Sequence, residues 1–270
     1  MAYSMGNAMA IIPWLHVVDL FSPLRFNYHM DFPRDKSDHL QWKIAYTLLR
    51  VVRLFFGRSR TLVFLLDCHW MLRRLAFEEV GKEFGSIFHN NYLGLTEQWF
   101  LENIDSQDSV LDIGCGTGRW SNLASRKSSN VLGIDISEKS LNIARKVGTS
   151  ANFEIFNATS SLKKLGHFHV GILVHLLEHI QEPHKLLVDL LEVCDRLIIE
   201  VPDLEADPLN GIRILTGRRY YSDSDHVREY SEGLLVSQLN DAGWEPISIK
   251  KSGAAIAVIA VPYLNRTNML

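Results

Sequence analysis

The residues best suited to chemistry lie in a run of glycines that directly follows an apolar segment. Positions 110–119 read Val-Leu-Asp-Ile-Gly-Cys-Gly-Thr-Gly-Arg, and a helical pattern continues to Arg126. Glycines allow a sharp turn and let a ligand approach the backbone without meeting a Cβ atom, while the start of a helix offers unpaired N–H groups. This stretch therefore predicts a strand, a turn and a helix that together bind a nucleotide-like ligand.

The spacing of these glycines indicates which kind of nucleotide is expected. The dinucleotide fingerprint, G-x-G-x-x-G, would place its third glycine at the position of Arg119. The pattern is instead D-x-G-x-G-x-G, and it begins at Asp112. An NAD-dependent enzyme is therefore a disfavoured alternative.

A second acid follows the next apolar segment. Positions 131–137 read Val-Leu-Gly-Ile-Asp-Ile-Ser, so that Asp135 lies about 20 residues after the glycine turn begins. A carboxylate at this remove accepts hydrogen bonds from ribose hydroxyls, because it is an acceptor only. Ser137 is placed to cap the next helix, with Glu138 at the positive end of that helix.

Together these motifs resemble those of class I S-adenosylmethionine (SAM) methyltransferases, over residues 108–262. The resemblance implies SAM as the cofactor. Asn157 stands where the family usually has an Asp that accepts from the adenine amino group, and its side-chain carbonyl can accept the same bond. The cofactor residues that the resemblance implies are Asp112, Gly114, Cys115, Gly116, Gly118, Asp135, Ile136, Asn157 and Ala158.

The segment 174–180, Val-His-Leu-Leu-Glu-His-Ile, resembles the signature after the fourth strand in methyltransferases similar to the ubiquinone-pathway O-methyltransferases. His175, Glu178 and His179 share one face if the segment is helical. Three interpretations remain open. Glu178 and His179 can be structural, bonding neighbouring backbone. Alternatively, His175 or His179 can be a general base, since imidazole titrates near neutrality.

The third interpretation is a divalent metal site. Some relatives bind Mg²⁺ through a Glu-x-x-Glu-His arrangement, and His175 replaces the first Glu here. Imidazole is a softer ligand than carboxylate and would favour Zn²⁺ or Mn²⁺. We predict no bound metal, with His175, Glu178 and His179 as the candidate ligands if one binds.

A further candidate base is His226, which leads through His-x-x-x-Tyr-Ser into the last helical pattern. This approach resembles that of sugar and small-molecule methyltransferases, in which the His can face the acceptor. The structural alternative is a loop residue that bonds to backbone. Residues 202–228, rich in proline and glycine, form a long insertion of the kind that carries substrate loops.

From residue 108 onward, strand and helix patterns alternate, which predicts a parallel sheet with helices on both faces. Ser252 and Gly253 give a hairpin signal, so the final strand should be antiparallel. The fold class is therefore α/β, a Rossmann-like, doubly wound, mostly parallel seven-stranded sheet with an antiparallel last strand and a helical N-terminal extension. Strands are predicted near 109–113, 130–134, 152–156, 169–174, 195–201, 244–250 and 254–261. Helices are predicted near 118–127, 138–147, 160–164, 183–192 and 230–242.

The N-terminal region carries two apolar helical patterns between residues 41 and 80, interrupted at Gly57 and Ser59. We predict a helical extension over 1–84 and a methyltransferase domain over 85–270. The extension can be a lid with solvated arginines, a homodimer face or a peripheral membrane-surface element. Against one acid, Asp67, residues 41–75 hold the basic residues Lys43, Arg50, Arg53, Arg58, Arg60, Arg73 and Arg74.

Composition narrows the class of protein. A net charge of -3 and a pI near 6.4 argue against a general nucleic-acid binder, which is normally basic. Three widely spaced cysteines, Cys68, Cys115 and Cys194, are typical of reduced thiols. Residues 1–20 lack a secretory signal, and no apolar stretch is long enough to span a membrane. We expect a cytoplasmic protein that can lie peripherally at a membrane surface.

The sequence thus predicts a SAM-dependent methyltransferase acting on a small-molecule, glycan or lipid-linked acceptor at oxygen. Because a sulfonium donor is already activated, the protein mainly aligns the donor with the acceptor. The residues that recognise the acceptor are therefore hard to identify from the sequence. The alternatives are a metal-assisted RNA ribose methyltransferase and a SAM-binding scaffold without catalysis. Methylation of amino groups on nucleic acid bases is disfavoured, because no Asn-Pro-Pro-Tyr motif follows the fourth strand.

Overall fold

The structure is a computed structural model that describes residues 38–88 and 97–263. The chain divides into two compact units, Met1–Gly57 and Arg58–Leu270. Helix α1 spans Asp38–Phe88, with Gly57 at a φ of 74° inside it. The prediction of two helices separated at Gly57 and Ser59 was therefore wrong, since a single left-handed glycine is all that marks the interruption. Residues 1–37 of the predicted extension lie outside the described part of the chain.

The sheet confirms the predicted fold. Its order is β3-β2-β1-β4-β5-β7-β6, and the neighbours from β3 to β5 are parallel. Strand β7 is antiparallel to both β5 and β6, as the hairpin signal predicted. The strands are β1 (Ser109–Ile113), β2 (Asn130–Asp135), β3 (Asn152–Ile155), β4 (Phe168–Val174), β5 (Cys194–Pro202), β6 (Trp244–Ser252) and β7 (Ala255–Pro262).

Helices connect the strands close to where the periodicity placed them. The predicted helix at 160–164 is a short 3₁₀ helix, Leu162–Leu165. Ser137 and Ser231 each accept a hydrogen bond from a backbone N–H three residues ahead, which explains where two of the helices begin. The remaining helices are α2 (Glu97–Glu102), α3 (Arg119–Ala124), α4 (Glu138–Arg145), α5 (Pro183–Leu190), α6 (Leu209–Leu215) and α7 (Glu232–Asp241).

Two apolar clusters lie on opposite faces of the sheet, because successive strand side chains point to opposite sides. In β1, Leu111 and Ile113 belong to one cluster and Val110 to the other. In β5, Ile199 and Ile198 divide in the same way. A sheet buried on both faces explains why its central strands are continuous apolar runs rather than alternating ones.

The strand order places a topological switch between β1 and β4. Strands β2 and β3 extend the sheet to one side of β1, and β4 and β5 extend it to the other. The connections leaving the carboxyl ends of β1 and β4 therefore diverge and open a crevice, which is where α/β sheets bind ligands. The glycine turn and the segment 174–180 meet at this crevice.

Among the described residues, no helix is both long enough and apolar enough to cross a membrane.

The three glycines of the turn after β1 are held in left-handed conformations, but their surroundings differ. A Cβ on Gly118 (φ 79°) would lie 2.6 Å from Cβ of Ala144 and 2.8 Å from the ring of Phe153. A Cβ on Gly114 (φ 71°) would lie 2.8 Å from Cδ1 of Leu176. At Gly116 (φ 53°) a Cβ would meet no atom within 4 Å. Packing thus requires glycine at two positions and leaves the third open.

This difference predicts unequal losses of stability for Gly118→Ala and Gly116→Ala. Both variants strain the backbone by about 1–2 kcal/mol, because both residues have a positive φ. Only Gly118→Ala also forces a methyl group into packed side chains, which typically costs a further ~1–3 kcal/mol. Urea denaturation of both variants measures the difference, and equal losses would show that Gly118 is not packed against Ala144 of α4 and Phe153 of β3.

Candidate cofactor and acceptor site

The turn after β1 is fixed by the backbone of the neighbouring strand. The N–H groups of Gly114 and Cys115 both donate to the carbonyl of Ile134, at 2.8 and 2.9 Å. The N–H of Gly118 donates to the carbonyl of Cys115 at 2.8 Å and closes the turn. The predicted cofactor residues from 114 to 118 are therefore held against the carboxyl end of β2, where Asp135 lies.

Asp135 joins the two turns of the crevice. Its Oδ2 accepts from the N–H of Gly116 at 2.9 Å, and its Oδ1 accepts from the N–H of Ser137 at 2.7 Å. A carboxylate offers about four lone-pair sites, so two remain for a ligand. The next side chain, Ile136, is 72% exposed. The free lone pairs of Asp135 and the exposed apolar side chain of Ile136 are thus neighbours.

Asp112 lies in β1 behind the turn and is 2% exposed. The hydroxyl of Ser121 donates to its Oδ2 at 2.5 Å. Burial raises the pKa of Asp112 to about 6, and the charge of Asp135 adds to this, although the hydrogen bond from Ser121 opposes it. Burial also raises the pKa of the Cys115 thiol, which therefore stays protonated. All three cysteines are free, as the sequence predicted.

Asn157 follows β3 and is engaged locally. Its Oδ1 accepts from both the N–H and the hydroxyl of Thr159, each at 2.9 Å. The carbonyl expected to meet an adenine amino group is therefore used in a side-chain turn, and only the hydroxyl of Thr159 can rotate away. The neighbouring Ala158 packs against the apolar cluster. A cavity of about 430 Å³ runs from Ala158 to His179.

The segment 174–180 does not form the α-helix in which its polar residues would share a face. It forms a short 3₁₀ helix, Leu177–His179, and His175 precedes it with a φ of 52°. A positive φ is uncommon for a residue with a side chain and costs roughly 1–2 kcal/mol. The imidazole of His175 contacts Glu178 and Glu200, whereas the ring of His179 contacts that of His226.

His175 bridges two buried carboxylates. Its Nδ1 lies 3.2 Å from Oε1 of Glu178, and its Nε2 lies 3.1 Å from Oε1 of Glu200. Burial acts to lower the pKa of His175, but hydrogen bonds to the two carboxylates outweigh burial and raise it to about 10. An imidazolium with both nitrogens engaged offsets one of the two negative charges, and it is poorly placed to remove a proton from an acceptor.

A second cluster forms on the other side of Glu178. Ligand atoms of Glu178, His179 and His226 all lie within 4.8 Å of one another. The rings of His179 and His226 meet edge to face at 4.7 Å. Oε2 of Glu178 is buried and has no hydrogen-bond partner within the described part of the chain. The structure thus joins His226 to Glu178 and His179, whereas His175 lies between Glu178 and Glu200.

His226 is oriented by a carboxylate. Its Nδ1 lies 2.9 Å from Oε1 of Glu229, and only 7% of its side chain is exposed. Burial acts to lower the pKa of His226, but the bond to Glu229 outweighs it and raises that pKa. Because Nδ1 is engaged, Nε2 is the nitrogen that remains for a ligand or a proton. This is the arrangement that fixes the tautomer of catalytic and metal-binding histidines.

The insertion 202–228 is anchored to α1 by charged side chains. Arg73 and the buried Arg213 both bind Oδ2 of Asp207, at 3.1 and 2.9 Å. Arg74 binds Oδ1 of Asp223 at 3.0 Å. Arg218 pairs with Asp67, the single acid between residues 41 and 75. Two of the predicted solvated arginines, 73 and 74, thus hold the loop that carries His226.

The partners of Glu200 and Glu229 were not predicted from the sequence. Glu200 was visible as a charged residue within the apolar strand of residues 197–201. Glu229 had a weaker signal, a carboxylate three residues after His226. Neither pattern identifies the histidine that the carboxylate contacts.

Comparison with known proteins agrees with the fold and the turn. A family model described as a methyltransferase domain matches residues 89–249, more than half of the chain. The ubiquinone biosynthesis O-methyltransferase of Bordetella avium is 31% identical over 57% of this chain and 69% of its own length. That of Colwellia psychrerythraea is 30% identical over 36% of this chain and 42% of its own length. The chain thus spans about two fifths of several relatives and two thirds of one.

Solved structures show the same fold at low sequence identity. The small RNA methyltransferase HEN1 aligns with a TM-score of 0.51 and 18% identity, over 63% of this chain and 24% of that one. The cyclase SpnF aligns with a TM-score of 0.50 and 16% identity, over 62% and 80% of the two chains. Since one neighbour is named a cyclase, the fold alone does not fix the reaction. The family match and the motifs of the turn together show that the chain belongs to the class I SAM-dependent methyltransferase family.

Proposed function

We propose that this protein transfers the methyl group of SAM to an oxygen atom of a small-molecule acceptor. This proposal rests on two acids that lie on either side of an open glycine. Asp112 is buried next to the turn, and backbone N–H groups hold Asp135 in place. Gly116 leaves room for a ligand. In this arrangement Asp135 accepts from the ribose hydroxyls, and Ile136 packs on the adenine. Asp112 supplies negative charge near the methionine end.

The acceptor is proposed from the relatives and the cavity. The relatives at about 30% identity are named for O-methylation in ubiquinone biosynthesis, which favours a small aromatic or lipid-linked alcohol over a glycan. The cavity of about 430 Å³ that reaches His179 is of the size that holds such molecules. An RNA ribose acceptor is the second candidate, since the cluster at Glu178 could assist it with a metal.

We propose that a divalent cation is held by Glu178, His179 and His226. The unpartnered, buried Oε2 of Glu178 supports this, because a buried carboxylate oxygen requires a donor or a cation. A bound cation would lower the pKa of an acceptor hydroxyl. Glu229 orients His226, and His175 offsets the charge that Glu178 and Glu200 bring into the interior. Without a metal, Nε2 of His226 would act as the general base instead.

The helical extension is proposed to support the acceptor loop. Residues 67–74 of α1 bind the insertion through Asp67, Arg73 and Arg74. In this proposal the extension keeps its predicted range of 1–84, and the methyltransferase domain covers 85–270. The rival is a SAM-binding scaffold that uses the extension to hold a partner. SAM binding without methyl transfer to any fraction of a cell extract (lipid, glycan, RNA or small metabolites) would favour the scaffold.

Asp135→Ala is expected to weaken SAM binding at least about tenfold, because it removes the ribose acceptors and frees the N–H of Gly116. The matched control is Ser137→Ala, which loses the cap of α4 and about 1 kcal/mol of stability but leaves Asp135 in place. Titration calorimetry with SAM compares the two variants. Equal affinity in Asp135→Ala and the unmodified protein would place the ribose elsewhere.

SAM affinity is expected to fall as the pH drops through about 6. The pKa of Asp112 in the free protein is about 6, so this side chain loses its negative charge below that pH, and a cationic ligand is then bound less tightly. The loss approaches about tenfold per pH unit for a single coupled proton. Asp112→Asn should bind SAM weakly with no such pH dependence. A pH profile unchanged in Asp112→Asn would assign the effect to another group.

His226→Gln is expected to abolish both Mn²⁺ binding and methyl transfer, while SAM binding persists. The matched control is His184→Gln, which changes an exposed histidine of α5. Electron paramagnetic resonance of Mn²⁺ reports the metal without requiring turnover. If the unmodified protein binds no Mn²⁺ and His226→Gln still loses activity, His226 is the base and the metal proposal fails.

A further inference from the structure

The first part of α1 exposes an apolar stripe to solvent. Ile44, Leu48, Val51 and Phe55 are spaced four, three and four residues apart and so share one face of the helix. Their side chains are between 45% (Val51) and 79% (Phe55) exposed. A continuous exposed apolar face of this kind marks an interaction surface rather than a water-facing one.

Positive charge accompanies this stripe, and negative charge is absent from the sequence around it. Lys43, Arg50 and Arg53 are exposed on the same part of the helix. Between His39 and Leu66 the sequence contains no Asp or Glu. The whole protein is nevertheless acidic, with a net charge of -3, so the positive charge is concentrated here. The partner must therefore be both negatively charged and apolar.

A second copy of the same helix does not meet this requirement, because an isologous contact would bring its basic side chains together. A membrane span does not meet it either, since no helix among the described residues is long and apolar enough to cross. A helix with an apolar face and basic flanks fits the surface of a bilayer that contains anionic lipid.

We propose that residues 43–55 lie flat on an anionic lipid surface, with Leu48 and Phe55 in the acyl boundary and Arg50 and Arg53 at the headgroups. The apolar stripe supplies the buried area, and each basic residue adds attraction that salt screens. This inference is independent of the proposed methyl transfer, since it uses none of the residues of the cofactor turn or the acceptor cluster.

The test is co-sedimentation of the full-length protein with vesicles of phosphatidylcholine alone or mixed with phosphatidylglycerol. The unmodified protein should pellet only with the mixed vesicles, and high salt should release it. Arg50→Glu with Arg53→Glu should reduce the partition coefficient onto the vesicles at least about tenfold. Each basic residue near an anionic surface raises that coefficient about fivefold. Leu48→Ser with Phe55→Ser should reduce it comparably.

Two control pairs change other exposed residues outside α1. Lys146→Glu with Lys164→Glu matches the charge reversal, and Ile143→Ser with Val147→Ser matches the apolar change. Both should sediment like the unmodified protein. Three results would overturn the inference: no pelleting of the unmodified protein with mixed vesicles at low salt, equal losses in test and control pairs, or a dimer that Leu48→Ser with Phe55→Ser dissociates. Calorimetry with SAM on every variant reports folding and the proposed function separately from the vesicles.

Discussion

The carboxylate of Asp135 is the contact on which the rest of the site depends. It accepts from Gly116 in the turn after β1 and from Ser137 at the start of α4, and so joins two βα turns that belong to adjacent strands. Both bonds lie at the carboxyl edge of the sheet, next to the switch point between β1 and β4. Gly116 is open on the side where a Cβ would lie, whereas packing crowds that side at Gly114 and Gly118.

Around His175 the organising constraint is buried negative charge. Glu178 and Glu200 are buried in the interior, and leaving both unpaired would be costly. His175 offsets them from one side and adopts a left-handed backbone conformation to do so. One oxygen of Glu178 has no hydrogen-bond partner among the described residues, and a carboxylate oxygen of this residue lies within 4.8 Å of ligand atoms of His179 and His226. The fold thus stabilises part of this charge and leaves the remainder available to a cation or a proton.

The insertion 202–228 is stabilised from outside the sheet. Asp207 and Asp223 of the insertion form ion pairs with arginines of α1. The same loop places His226 next to Glu178. Burial of Arg213 beside Asp207 makes this contact costly to break, since a buried ion pair that loses one partner leaves an uncompensated charge. Residues 67–74 of α1 therefore hold the loop that carries His226.

The sequence by itself determined the α/β sheet, its antiparallel last strand, the glycine turn and the family, because these depend on periodicity and on spacings within single βα units. Glycine at 118 is a local requirement of a turn, and an acid at 135 is a local requirement of a strand end. Requirements of this kind can be recognised from residues that are close together in the sequence. The sequence did not determine that one helix runs through Gly57, because a left-handed glycine can end a helix or lie within one. Only the tertiary structure decided that His175 pairs with Glu200 and that His226 joins Glu178 and His179. These partners come from different strands and loops, and side-chain contacts between them arise from packing of the sheet, which no spacing along the chain records.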